Sequence, residues 1–125
     1  MTSTPHIVVI DDDAMVRTAV TRILESEGFQ VALAGDGREG LRLMRSLQPR
    51  LVITDIIMPE MEGIETIREM RRERHDLKIM AISGGARMGN ANFLDMARTM
   101  GADAIMEKPF EPEDLVAKVR QLLGD

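Results

Sequence analysis

The stretch that decides the fold is LVITDIIMPEMEG, residues 51–63. Leu51 to Thr54 run apolar and β-branched without alternation, the pattern of a strand buried on both faces. Asp55 comes next, flanked by Ile56, Ile57 and Met58. An ionised carboxylate in apolar company is costly unless a cation pairs with it. Nothing within the stretch supplies one, so the partner has to come from a distant part of the chain.

Outward from Asp55, apolar runs alternate with helical patterns. His6 to Ile10 reads as a short strand. Val16, Ala19, Val20, Ile23 and Leu24 recur at helical spacing, closed by Gly28. Phe29, Val31 and Leu33 alternate like an edge strand, and Asp36-Gly37 signals a turn. Leu41, Met44 and Leu47 form a second helical stripe, stopped at Pro49. Met61, Ile64, Ile67 and Met70 form a third. Ile79 to Ile82 is a strand, with Gly84-Gly85 shortly after it. Phe93, Met96, Ala97 and Met100 form a fourth helical stripe with Gly101 past its end, Ala104 to Met106 is a strand, and Leu115, Val116, Val119, Leu122 and Leu123 form the last helix. Five strand–helix units with short links predict an α/β fold: a doubly wound parallel sheet with five strands and five helices. Residues 1–125 are read as one domain, with residues 1–5 a loose tail.

Composition narrows the function. The 125 residues carry a net charge of −5, three Phe and no Trp or Tyr. That is a poor basis for holding nucleic acid by charge or by stacking. The absence of cysteine rules out disulfides and thiolate metal sites. No apolar run approaches the roughly 20 residues that span a bilayer. A cytoplasmic protein without nucleic-acid or membrane partners is expected. The eleven Met are read as pliable core filler. The basic run Arg68, Arg71, Arg72, Arg74, His75 and Lys78 is read as a solvated helix face; His6 and His75 are given no role.

Ligands of a doubly wound sheet sit beyond the carboxyl ends of its strands. The residues just past each strand are therefore informative. Asp11, Asp12 and Asp13 come after strand one, Asp55 after strand three, Ser83 after strand four and Lys108-Pro109 after strand five. Asp13 opens helix one and is read as its N-cap. If strands one and three are neighbours, about 5 Å apart, the acidic cluster and Asp55 meet at one edge. Clustered carboxylates stay ionised only around a cation. All-oxygen ligands without His or Cys suit Mg²⁺ or Mn²⁺. Lys108 adds a point charge, Ser83 a hydroxyl, and Gly84 and Gly85 leave an approach unobstructed. Metal, lysine, hydroxyl and a central carboxylate make a phosphoryl-transfer site with Asp55 as nucleophile.

VVIDDDAMVR (8–17), LVITDIIMPEMEG (51–63), IMAISGG (79–85) and MEKPF (106–110) together resemble the receiver domain of bacterial two-component response regulators, including the single-domain chemotaxis regulator. The resemblance implies strand order 2-1-3-4-5. It implies that Asp55 accepts a phosphoryl group from a sensor kinase or a histidine phosphotransfer protein. Asp11 and Asp12 would hold Mg²⁺ with Asp55, the register set by Arg17, and Ile57 would lend its backbone carbonyl. Ser83 takes the switch position and Lys108 the lysine role, behind a cis bond to Pro109; Pro59 and Gly63 shape the loop after Asp55. The output would be a protein partner on the face of helix four, strand five and helix five. The resemblance further implies a monomer or weak dimer that is not a turnover enzyme but catalyses its own Mg²⁺-dependent phosphorylation and dephosphorylation. The competing readings are an aspartyl phosphohydrolase, a receiver-like interaction module without phosphorylation, and the receiver part of a larger regulator. MTSTP and the complete last helix favour a whole chain.

Two departures bear on the switch. Ile105 stands where receivers usually carry Tyr or Phe, and GGARMGNAN (84–92) is Gly-rich and longer than usual. The output is therefore expected to rely on reordering of residues 84–92. Hydrogen exchange with and without a phosphoryl mimic checks this. A change in protection across residues 84–92 is expected, and unchanged protection there counts against it.

Overall fold

A computed structural model describes residues 7–56, 63–83, 95, 98–99 and 101–124. Five parallel strands form one sheet in the order β2-β1-β3-β4-β5. They are β1 (Ile7–Ile10), β2 (Val31–Ala34), β3 (Leu51–Asp55), β4 (Lys78–Ser83) and β5 (Ala104–Glu107). Among the described residues there are four helices: α1 (Ala14–Ser26), α2 (Gly37–Leu47), α3 (Gly63–Glu73) and α4 (Pro112–Leu123). The expected helix over Phe93 to Met100 lies outside the described residues except at Asp95, Arg98 and Thr99, which are helical. β2 is an outer strand, as its alternation predicts, and Leu33 is exposed there.

The sheet is buried on both sides because alternate strand residues point to opposite faces. Val8, Ile10, Val52, Ile79 and Ala81 pack with Leu41 and Met44 of α2 and Ile67 and Met70 of α3. Ile7, Val9, Leu51, Ile53, Met80 and Ile82 pack with Val20 and Leu24 of α1 and Leu115 and Val119 of α4. Each strand thus feeds two cores, which is why its sequence reads as a continuous apolar run. Met44, Met70 and Met80 are fully buried and fill these cores, whereas Met15 stands 81% exposed.

Helix starts and stops obey local chemistry. Asp13 caps α1, its carboxylate accepting from the Met15 N–H at 2.9 Å. Asp36-Gly37, expected as a turn, is a helix start: the Asp36 carboxylate accepts from the Glu39 N–H at 2.9 Å. Asn and Asp serve turns and caps by the same local hydrogen bond, so the dipeptide alone does not separate them. Past the end of α1, Gly28 turns the chain at φ 92, a left-handed conformation that other residues resist. No described helix is long and apolar enough to cross a membrane.

The solvated-face reading of the basic run fails at Arg71. Its guanidinium donates to the carbonyls of Gly101, His75 and Leu77 at 2.7–3.2 Å and to the Asp103 carboxylate at 2.6 Å. Asp103 in turn accepts from the Ile79 N–H at 2.8 Å. One side chain therefore fastens the end of α3 to the entries of β4 and β5. Arg74 is anchored as well, donating to the Pro49 carbonyl at 2.8 Å. Replacing Arg71 by Met keeps the apolar stem and orphans these acceptors. The expected loss is about 2–3 kcal/mol, read in urea as a lower midpoint at unchanged slope. An unchanged midpoint would show that water replaces the guanidinium without cost.

Candidate functional site

The site is assembled by three strand ends. β1 and β3 are paired in register, Ile10 opposite Thr54, so Asp11 and Asp55 leave the sheet side by side. Asp11 is held by the Ala34 carbonyl, which accepts from its N–H at 3.1 Å, and its own Oδ1 accepts from the Asp13 N–H at 2.9 Å. Asp11 is 2% exposed and Asp55 8% exposed, whereas Asp12 is exposed to solvent. Each of the three offers a carboxylate oxygen, and these oxygens lie within 4.8 Å of one another. This is a hard-oxygen donor set, and it fits a divalent cation of the Mg²⁺ kind.

Lys108 supplies the cation that the stretch around Asp55 lacks. It lies just past β5, two strands away from β3, a distance of about 10 Å across the sheet. Only a long side chain closes that gap. Its Nζ lies 3.2 Å from Asp55 Oδ2 and 3.2 Å from Asp11 Oδ2. The Lys108–Pro109 bond is cis. Burial disfavours the charged lysine, but the Asp55 and Asp11 carboxylates and their hydrogen bonds outweigh it and hold the ammonium above its ordinary pKa. Asp11 shifts upward: burial raises it, the Asp13 N–H opposes, Asp55 raises it again and Lys108 opposes.

The backbone around Asp55 is tightly packed. The Thr54 hydroxyl donates to the Asp55 carbonyl at 3.0 Å. Gly63 opens α3, and its N–H donates to the Ile56 carbonyl at 2.6 Å. A Cβ on Gly63 would stand 2.1 Å from the Asp55 carbonyl oxygen and 2.5 Å from Ile56 backbone atoms. Glycine is required there by space alone.

Other expected residues are placed less fully. Ser83 ends β4 opposite Glu107, one residue beyond the level of Asp55, which pairs with Ile82. Ile57, Pro59, Gly84 and Gly85, and the reordering expected of residues 84–92, lie outside the described residues. Ile105 pairs with Ala81 and is half-buried against the core shared by α2 and α3. A groove of about 620 Å³ is lined by Ile105, Pro109, Phe110, Asp114 and Lys118 among others. Sequence reasoning missed one contact: Arg17, used there only to set the register, donates from Nη1 to the Asp11 carbonyl at 2.6 Å. Its position in the first turns of α1, six residues after Asp11, was the available signal.

Comparison with known proteins gives the same answer from an independent direction. A sequence model of the response regulator receiver domain matches residues 7–120. Response regulator MprA of Mycolicibacterium vanbaalenii is 39% identical over 118 residues, covering 94% of this chain and 50% of that protein. The DNA-binding response regulator MtrA of Mycobacterium tuberculosis is 36% identical over 118 residues, covering 94% of this chain and 50% of that protein. The chain thus spans about half the length of these curated relatives. The crystal structure of a CheY-like receiver domain protein from Methanospirillum hungatei superposes with a TM-score of 0.89 at 31% identity, covering 98% of this chain and 95% of that one. The receiver domain of NtrX from Brucella abortus gives 0.88 at 30% identity, covering 94% and 98%. With this fold, this strand order and an acidic cluster beside a buried lysine, the chain belongs to the response regulator receiver domain family, whose members are phosphorylation-activated switches of two-component systems.

Proposed function

We propose that Asp55 is the phosphoacceptor of this receiver and that Asp11, Asp12 and Asp55 hold the Mg²⁺ it requires. The observation that carries this is the convergence of three carboxylates, within 4.8 Å, on one ammonium that bridges two of them. A carboxylate oxygen of Asp55 attacks the phosphorus of a kinase or phosphotransfer-protein phosphohistidine. A phosphorus–oxygen bond forms, the phosphorus–nitrogen bond breaks, and the departing imidazole nitrogen keeps the electron pair and takes a proton. Mg²⁺, when bound, supplies charge neutralisation at the phosphoryl oxygens. Lys108 is poised to move from its two carboxylate partners to a phosphoryl oxygen, and Ser83 contributes its hydroxyl. Attack of water on the phosphorus later restores the Asp55 carboxylate. The protein is in this sense its own catalyst, acting in the cytoplasm where the kinase phosphohistidine is formed.

The signal leaves through protein contact. The side of the molecule formed by β5 and α4 is read as the partner surface; its groove beside Ile105, Phe110 and Lys118 supports this. Of the relatives, MtrA is described as DNA-binding. For this chain a protein partner fits better, since the net charge of −5 disfavours a phosphate backbone.

Two measurements test this reading. Incubation with acetyl phosphate and Mg²⁺ should retard the wild-type protein in phosphate-affinity electrophoresis, and chelation of the metal should abolish the shift. Asp55→Asn should show none; an equal shift in that variant would place the phosphoryl group elsewhere.

The second measurement rests on the raised Asp11 carboxyl, which burial drives first. The metal-free fold binds the Asp11 proton more tightly than the unfolded chain does. Its stability therefore falls as pH rises from the ordinary aspartate range through the raised value, and the loss is complete above it. At pH 7.5 in chelator, Asp11→Asn should melt a few degrees higher than wild type, and the gap should close toward acid pH. Adding Mg²⁺ to 100 times its dissociation constant should stabilise wild type by about 2.7 kcal/mol and the variant by much less. A variant that melts below wild type in chelator would contradict the electrostatic account.

A further inference from the structure

The Asp12 carboxylate has an anchoring problem. A residue that is to ligate a cation needs its oxygens free, and among the described residues no hydrogen bond or ion pair fixes the Asp12 side chain. It is also exposed. Its position must then be set by the backbone on either side. On its C-terminal side, Asp13 is fixed twice: its carboxylate caps α1 through the Met15 N–H, and its own N–H donates to Asp11 Oδ1, both at 2.9 Å. On its N-terminal side, the Asp11 N–H donates to the Ala34 carbonyl at 3.1 Å, which leaves the carbonyl of the Asp11–Asp12 peptide to be held separately. Arg17 holds that carbonyl, Nη1 donating to it at 2.6 Å. The guanidinium also lies beside Gly35, its Nη1 3.4 Å from a Cβ built there, so it stands between the β1–α1 and β2–α2 connections.

The geometry points to Arg17 as a positioning residue for the metal: by holding the Asp11–Asp12 peptide it aims the Asp12 carboxylate into the cluster with Asp11 and Asp55. This rests on the metal site proposed above and deepens it. Arg17 touches neither metal nor phosphoryl group; it acts through a backbone carbonyl. The assignment has a sign that a mere charge effect does not share. A fixed cation near a divalent-cation site repels that ion, so if Arg17 were only a charge, neutralising it would tighten Mg²⁺ binding. If Arg17 positions Asp12, neutralising it weakens Mg²⁺ binding, because the ligand must be ordered at the moment of capture.

The test is Mg²⁺ titration by calorimetry of the unphosphorylated protein, at one pH and ionic strength, for wild type, Arg17→Met, Arg17→Gln, Arg17→Lys and Asp12→Asn. Arg17→Met should raise the Mg²⁺ dissociation constant by about tenfold or more, Arg17→Gln should raise it in the same direction, and Arg17→Lys, which keeps one donor, should recover part of the loss. Circular dichroism melts establish that each variant is folded at the titration temperature; where Arg17→Met is not, Arg17→Gln carries the same test. Binding by both neutral variants that equals or exceeds wild type overturns the assignment. In that outcome, loss of binding in Asp12→Asn leaves the metal site itself standing. A wild-type protein that binds no Mg²⁺, or an Asp12→Asn variant that binds as wild type does, overturns the metal site and the role of Arg17 together.

Discussion

Two buried carboxylates share one ammonium, and the rest of the site depends on that shared pairing. Asp11 and Asp55 are almost wholly removed from water, and Lys108 stands 3.2 Å from each. A buried charge is tolerable when paired, and a single cation between two anions leaves one negative charge over. With Asp12 close by, three carboxylates gather beside this one ammonium. Burial drives the Asp11 carboxyl upward first, and the neighbouring Asp55 charge adds to it. A cluster so arranged gains from a divalent cation and from an electrophile that ties up an oxygen of Asp55. In the proposed reaction the phosphoryl group is that electrophile, and it offers Lys108 a new anion to pair with.

The fold explains why these groups meet. Parallel strands all point their carboxyl ends the same way, so residues 97 and 53 positions apart from Lys108 become its neighbours. The strand order puts β1 and β3 side by side and β5 two strands from β3, with β4 between. That asymmetry assigns the short side chains to the near strands and the long one to the far strand. Aspartate and lysine are not interchangeable here: an aspartate after β5 would not span the gap. The crowding of Gly63 against the Asp55 carbonyl adds a second constraint, since α3 has to start close under the acceptor.

Much of this was legible in the sequence because the signals are local. Apolar runs such as Leu51 to Thr54, helical spacing such as Val16, Val20 and Leu24, and the residue after each strand are all read within a few positions. The family resemblance then added the strand order and the roles. What was not legible depends on where a side chain points. Arg71 sits in a run of cations that looks solvated, yet it turns inward to carbonyls and to Asp103, 32 residues away. Asp36 looks like a turn former and is a cap. Arg17 served only to set the register of the acidic pair, and it reaches back to the Asp11 carbonyl. In each case the residue type was informative and its direction was not.

Arg17 and Arg71 also show how rigidity is distributed. Each is a guanidinium spent largely on backbone carbonyls, at opposite ends of the sheet. Arg17 holds the connection after β1, beside the acidic cluster. Arg71 holds the entries to β4 and β5, on the side of the sheet away from that cluster. A carbonyl-bound guanidinium fixes backbone more firmly than a carboxylate-bound one, since the acceptor has no side-chain rotamers of its own to lose. The wall beside the acidic cluster and the floor beneath β4 and β5 are therefore both pinned. Under the proposed phosphorylation of Asp55, the change in charge reaches β5 through Lys108, the side chain that bonds both Asp55 and Asp11.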